Sequence, residues 1–159
     1  MTRPPAPEPL PAPVVDTHCH LDIAFDASAG PMDPAEAVAL AAAQGVTGIV
    51  QIGCDLPGAR WTVAALAEHD ELVGGVALHP NEAPRLAAVG RLDAALEEIE
   101  ALARSSDRVR VIGETGMDFF RTGEDGRAVQ EESFRAHIDM ARRLDKTLQI
   151  HDRDAPDDV

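Results

Sequence analysis

Short apolar runs rich in Val and Ile recur five times along the chain, and longer alanine-rich stretches separate them. Runs without a polar face are typical of strands that are buried on both faces of a parallel sheet. We expect strands over Val14–His20, Val46–Ile52, Leu72–Leu78, Val109–Ile112 and Thr147–Ile150. The intervening stretches predict helices over Pro34–Ala43 (or to Gln44), Pro57–Glu68, Arg91–Arg104 and Ala128–Leu144, and loops over Leu21–Met32 and Asn81–Pro84.

The first predicted helix has clear signals at both ends. Asp33 is a good capping residue, Pro34 suits the first helical position, and Glu36 stands three residues after the cap. Gly45 follows the last helical residues, where glycine commonly ends a helix. Asp55, just before the second predicted helix, is likewise more readily explained as a cap than as a catalyst.

Five strands that alternate with helices predict an α/β protein with a parallel sheet. A TIM-type (β/α)8 barrel and an open doubly wound sheet both fit this order, but neither a glycine-rich dinucleotide fingerprint nor a P-loop follows any strand, which favours the barrel. A whole barrel needs roughly 250 residues. We therefore expect residues 14–159 to be the N-terminal portion of a single barrel domain, truncated after about five βα units. Residues 1–13, with six prolines, are expected to form a flexible leader and not a signal peptide.

Polar side chains stand at the C-terminal end of every predicted strand. They are His18 and His20, Asp55, His79, Glu114 and His151. The C-terminal ends of the strands form the active-site rim of a barrel of this kind. The sequence therefore predicts that residues far apart in the chain meet at one edge of the sheet.

The chemistry of these side chains suits divalent metal ions. His18 and His20 are one residue apart, so a strand projects both imidazoles to the same side, with Cys19 opposite. A carboxylate such as Glu114 can bridge two cations while imidazoles, including that of His151, hold each ion from the side. We predict metal ligands at His18, His20, Glu114 and His151 and two divalent ions, with Mg²⁺, Mn²⁺ and Zn²⁺ as candidates.

Three further residues are candidates for contact with the substrate. His79 precedes Pro80 and either lines the site or only shapes a turn. Asp118 and Arg121 follow Glu114 in one loop, where Arg121 either meets a phosphate or forms a local ion pair with Asp118. Phe119-Phe120 offer a surface on which a base could stack, but burial at the barrel rim is the favoured use. His69 and His137 fall on helices and are expected to be surface or packing residues.

Composition limits the range of partners. The formal net charge of −14, from 28 acidic and 14 basic residues, argues against a broad basic face for DNA. Metal ions can still attract a phosphate locally. Two cysteines are too few for a disulfide framework and indicate reduced thiols in a cytoplasmic protein. No apolar run approaches the length of a membrane span, and no obligate protein partner is evident.

Four stretches, in order and at sensible spacing, carry most of these candidates: Val15–Asp22, Gly75–Pro80, Ile112–Arg121 and Leu148–Ala155. Together they resemble the TatD-type metal-dependent hydrolases, deoxyribonucleases of the amidohydrolase-like barrel superfamily. The resemblance implies that His18 and His20 bind one metal, that Glu114 bridges two, and that His151 binds the second. It also implies hydrolysis of phosphodiester bonds in DNA, single-stranded DNA included, in the manner of an exonuclease.

The family pattern continues with a histidine after strand six and an aspartate after strand eight, which this chain does not contain. The resemblance therefore covers the N-terminal part of the family only, and an inactive, poorly soluble fragment is one alternative. A C–N hydrolase on the same barrel is another. The version that bridges its metals with a carbamylated lysine is disfavoured, because the only lysine, Lys146, precedes strand five and Glu114 occupies the end of strand four.

Overall fold

All five predicted strands form, and they build one parallel sheet in the computed structural model, which describes residues 5–24 and 30–159. The strands are β1 (Val14–Cys19), β2 (Val46–Gly53), β3 (Leu72–Val76), β4 (Val109–Asp118) and β5 (Thr147–Arg153). Each strand pairs with the one that follows it in the chain. Residues 1–4 of the predicted leader and residues 25–29 of the predicted first loop lie outside the described residues.

The helices alternate with the strands as predicted, with one addition. They are α1 (Pro34–Ala43), α2 (Leu56–Glu68), α3 (Glu82–Ala87), α4 (Leu92–Arg104) and α5 (Glu124–Leu144). The short helix α3 contradicts the predicted loop at residues 81–84. Pro84 falls in its first turn, where a missing N–H breaks no helical hydrogen bond. Helix α5 begins four residues before the predicted start, and Glu124 and Asp125 give it the acidic first turn that helices favour.

The predicted ends of helix α1 are confirmed. The Asp33 side chain accepts a hydrogen bond of 3.2 Å from Glu36 N, and Pro34 is the first helical residue. Gly45, at φ +94°, follows the C-cap residue in a conformation that favours glycine. Leu10, in the described part of the predicted leader, donates its N–H to Gln44 O at the same helix end. The flexibility of the leader stays a prediction.

The sheet is strongly curled. Adjacent strands lie about 4.8 Å apart, so the two outer strands of a flat five-stranded sheet would be roughly 19 Å apart. Instead, Gln149 Nε2 on β5 donates a hydrogen bond of 3.2 Å to Thr17 O on β1. A curled parallel sheet with helical crossovers is the architecture of the first five units of a (β/α)8 barrel, which confirms the predicted fold class.

The main apolar core lies between the sheet and its helices. Its fully buried members include Leu66, Leu72, Ile99, Val109 and Ile112. Burial of one such side chain contributes about 1.5–3 kcal/mol to stability. A smaller cluster of Met117, Phe134 and Ala155 packs beneath the end of β4. These two clusters fix the strand ends at which the polar candidates lie.

Strands β1 and β5 form the two edges of the sheet. Val15 on β1 is 55% exposed and Ile150 on β5 is 49% exposed, so both edges carry apolar surface. Across the described ranges, no helix combines the length and the apolar character that crossing a bilayer requires.

Candidate metal centre

Four histidine side chains converge on the carboxylate of Glu114. The Nε2 atom of His18 lies 3.6 Å from Oε2, and the Nε2 atoms of His20 and His79 each lie 3.8 Å from Oε1. His151 Nδ1 lies 3.5 Å from Oε2. The pairing of β4 with β5 is irregular between Ile112 and Thr115, so Glu114 lies in a break of the regular ladder. Irregularities of this kind often redirect a side chain, here toward the four histidines.

The pair His18 and His20 has the geometry of two ligands to one ion. Their Nε2 atoms lie 3.2 Å apart. Two nitrogens each about 2.1 Å from a Zn²⁺-sized ion would then subtend about 100° at it, which suits tetrahedral or octahedral coordination. His20 Nδ1 lies 2.9 Å from Ile52 O, to which it donates, and this leaves the Nε2 lone pair free for a cation. The residues present therefore fit a metal ion.

His151 is oriented by Asp118. Its Nε2 atom lies 3.3 Å from Asp118 Oδ2, while its Nδ1 atom faces Glu114. Asp118 is only 1% exposed, and it accepts hydrogen bonds of 2.9 Å from the Arg121 N–H and from Asn81 Nδ2. A carboxylate behind an imidazole fixes the tautomer of the ring and makes the other nitrogen a better ligand. Burial raises the pKa of Asp118, but these hydrogen bonds and His151 lower it, and the net shift is downward.

His79 faces the same space with a proton and not with a lone pair. Its Nδ1 atom accepts a hydrogen bond of 3.2 Å from the Asn81 N–H, so the neutral ring carries its proton on Nε2. That Nε2 lies 3.2 Å from His151 Nδ1. Burial, and next the neighbouring His151, lower the pKa of His79 to about 4. His79 is thus a neutral hydrogen-bond donor to the centre.

Side chains of ligand type form two groups among the described residues. One is His18, His20 and Glu114, and the other is His79, Asp118 and His151, so His151 falls in a different group from the other three predicted ligands. The sequence placed Asp118 beside a substrate, whereas the structure buries it behind His151. Arg121 lies at the rim, among the lining residues of an open pocket of about 740 Å³ that Glu114 also lines.

The Cys54 thiol is a contact of the centre that the sequence did not suggest. Its Sγ lies 3.4 Å from Glu114 Oε1, to which it donates, and 3.7 Å from His20 Nδ1. Burial, and next the Glu114 charge, raise the pKa of Cys54 above its usual range, so it stays a thiol. Burial raises the pKa of Glu114, but His79, His18 and this thiol lower it, and the net shift is downward. Asp55, next in the chain, caps α2 as predicted, accepting from Gly58 N at 2.7 Å.

His137 supports the centre from behind, although the sequence suggested only a surface or packing role. It is fully buried, its Nδ1 donates to Ser133 O at 2.7 Å, and its Nε2 accepts from Leu78 N at 3.1 Å. Burial lowers its pKa to about 4. The hydrogen bond to Leu78 holds the segment that carries His79 against α5.

Comparison with known proteins identifies the family of the chain and supports its fold. Residues 15–159 match the family described as TatD related DNase. An uncharacterized metal-dependent hydrolase, TatD, of Mycobacterium tuberculosis is 41% identical over 150 residues, which are 92% of this chain and 54% of that protein. The crystal structure of YJJV, a TatD homologue from Escherichia coli, has a TM-score of 0.71 and 27% identity, covering 90% of this chain and 52% of that one.

A third relative has a more specific name, 3′-5′ ssDNA/RNA exonuclease TatD of Klebsiella pneumoniae. It is 31% identical over 125 residues, which are 79% of this chain and 45% of that protein. The chain thus spans about half the length of the relatives that it matches.

Proposed function

The chain belongs to the TatD family of metal-dependent hydrolases, and we propose that it contributes the first half of a two-metal centre that hydrolyses phosphodiester bonds. The observation that carries this proposal is the convergence of four histidines on one carboxylate, that of Glu114. Bound divalent ions would lower the pKa of a bridging water and stabilise the charge that develops on the phosphoryl group. We infer two ions, with Mg²⁺, Mn²⁺ or Zn²⁺ as candidates.

The contacts of each side chain support a separate role for it in this proposal. His18 and His20 would hold the first ion, Glu114 would be shared between the two ions, and His151 would hold the second. The proton on His79 Nε2 faces His151 Nδ1 at 3.2 Å, and once that nitrogen held an ion the proton would be available to a non-bridging phosphate oxygen. Arg121, at the pocket rim, offers its guanidinium to the next phosphate along the strand.

We propose nucleic acid, DNA in the first place, as the substrate. The Klebsiella relative is named for exonuclease action on single-stranded DNA and RNA. With a net charge of −14, the chain would repel a duplex over most of its surface and admit a phosphate only near the metals. A cytoplasmic location is part of the proposal, supported by two cysteines that are free thiols.

The structure disfavours the C–N hydrolase that uses a carbamylated lysine. Lys146 donates to Val109 O, at the N-terminal end of β4. Glu114 lies further along the same strand, toward its C-terminal end. The only lysine therefore lies at the N-terminal end of the strands, away from the candidate centre, and supplies no bridge to it.

Calorimetric titration with Mn²⁺ and Zn²⁺ tests the centre directly. We expect His18→Ala, Glu114→Gln and His151→Ala to lower the metal affinity at least tenfold. His69→Ala, at the end of α2, is the matched control and should bind metal like the parent. Unchanged affinity in all three site variants would contradict the proposal.

Hydrolysis of single-stranded DNA against cyclic amides, with added Mg²⁺ or Mn²⁺, tests the reaction. We expect any turnover to be of DNA, and cleavage of the amides alone would favour the C–N hydrolase. We also expect the 159-residue chain alone to have little nuclease activity, because the family pattern takes further ligands from strands six and eight. Full metal-dependent turnover by a soluble monomer would refute that expectation.

A further inference from the structure

Two consecutive aromatic residues at the end of β4 have opposite environments. Phe119 packs against the buried cluster of Met117 and Phe134, and the Arg127 guanidinium covers its ring at 4.1 Å. Phe120 points outward and is 62% exposed. Phe120 follows Asp118, which contacts His151, by two residues, and its ring is exposed although burial would stabilise the protein.

The exposed Phe120 ring stacks against an arginine side chain. The Arg153 guanidinium carbon lies 4.0 Å from the centroid of its ring. The backbone holds the two residues in place, since Asp118 pairs with Arg153 in the β4–β5 ladder and Phe119 N donates to Arg153 O at 2.9 Å. Arg153 is thus the last residue of β5, and Phe120 lies in the turn directly after β4, next to a residue that hydrogen-bonds to β5.

The position and charge of the pair favour a nucleic-acid ligand. His151 and Arg153 are two residues apart on β5, so they project to the same side of the strand, about 7 Å apart along it. Throughout the described ranges, no carboxylate forms an ion pair with the Arg153 guanidinium, although the chain has 28 acidic residues. A planar cation that is not neutralised, stacked on an aromatic ring, binds the face of a base and attracts the adjacent phosphate.

We propose that Phe120 and Arg153 form a stacking platform for a nucleobase of single-stranded nucleic acid whose phosphate lies at the metal centre. This proposal rests on the proposed function, because it takes the strand at the metals to be the one that reaches the platform. The platform binds any base, since every base has an aromatic face. It adds affinity for single strands over duplex, in which the bases already stack on each other.

The test compares two oligonucleotides with the same phosphorothioate backbone, one of thymidines and one of abasic spacers, by fluorescence anisotropy. Phe120→Ala should weaken binding of the thymidine strand by roughly 5- to 150-fold, the range for loss of one stacked base. The same variant should leave the abasic strand unaffected. Phe120→Trp should restore binding, and Arg153→Lys should weaken it, because lysine keeps the charge and loses the plane.

Two control variants separate stacking from general surface effects. Val89→Ala removes another exposed apolar side chain, 67% exposed, and Arg110→Ala removes a cation from the opposite end of β4. Both should bind the two strands like the parent. Equal losses for the thymidine and abasic strands in Phe120→Ala, or no loss at all, would overturn the platform, as would a change of oligomeric state in Phe120→Ala without a change in binding.

The same assay keeps the two proposals apart. Phe120→Ala should retain the metal affinity of the parent, and His151→Ala should lose metal and still bind the thymidine strand better than the abasic one. If the parent with Mn²⁺ binds neither strand, both proposals fail. If it binds both strands and Phe120→Ala is no different, the platform alone fails. Uridine in place of thymidine should give the same pattern, because stacking does not read the sugar.

Discussion

Asp118 Oδ2 lies 3.3 Å from His151 Nε2, on the side of the ring away from Glu114. Asp118→Asn keeps the size of the side chain and removes the charge that fixes the histidine tautomer. We expect Mn²⁺ affinity to fall about 10- to 100-fold, as for other carboxylates that orient a ligand histidine. Calorimetric titration measures this, with Asp139→Asn, an exposed change on α5, as the control. Lower stability with unchanged metal affinity would restrict Asp118 to a role in the loop.

Cys54 provides a second way to perturb the centre without removing a ligand. Cys54→Ser keeps a donor for Glu114 Oε1, whereas Cys54→Val has a similar size and no donor. Since a hydrogen bond to a charged group contributes about 1.5–3 kcal/mol, we expect at least tenfold weaker Zn²⁺ binding in the valine variant. The serine variant should stay within about threefold of the parent, because its hydroxyl makes the same bond. Equal affinities in the two variants would contradict a role for the thiol hydrogen.

His137 should make the fold sensitive to acid. Its pKa is about 4 in the folded protein and 6.5 when unperturbed, so the unfolded chain binds a proton first as the pH falls. Stability is complete above pH 6.5 and is lost between pH 6.5 and 4, by up to about 3 kcal/mol. His137→Gln keeps an acceptor for Leu78 N, and its urea unfolding should show a shallower loss over this range. His69→Gln, at the half-buried end of α2, should keep the parent slope.

Gly116 should tolerate no side chain. It has φ +146°, and a Cβ atom there would lie 2.1 Å from His151 O. Gly116→Ala should therefore lower the free energy of unfolding by at least about 2 kcal/mol, and it should displace the strand that carries His151. Gly123→Ala is the matched control, since its Cβ would meet nothing within 4 Å. Similar urea midpoints for the two variants would contradict this prediction, because they would mean that β4 and β5 move apart at little cost to accommodate the Cβ atom.

The order of strands and helices and both ends of α1 could be predicted because they depend on neighbours in the sequence. The apolar runs set the strands, and the Asp33 and Gly45 signals set α1. Parallel order then brings distant strand ends to one edge, which is why His18, Glu114 and His151 were expected to meet.

The features that the sequence did not predict depend on contacts between segments that are distant in the chain. Strand β4 continues to Asp118 through a glycine-containing stretch because Gly116, Met117 and Asp118 pair with β5. Cys54 meets a carboxylate 60 positions away, and His137 meets a backbone N–H 59 positions away. Neither partner can be identified from the local pattern, since the Cys54 contact exists only once the sheet has formed and the His137 contact only once α5 packs on it.

The strand order of the sheet is also the order of the chain. From β2 onward, every strand pairs with the strand immediately before it, across a helical connection, so no pairing waits for a distant segment. Folding rates rise when contacts are local in sequence, and chains fold from the N-terminus as they leave the ribosome. Each new βα unit can therefore dock on a finished edge during synthesis, and the His18–His20 pair is in place before Glu114 and His151 arrive.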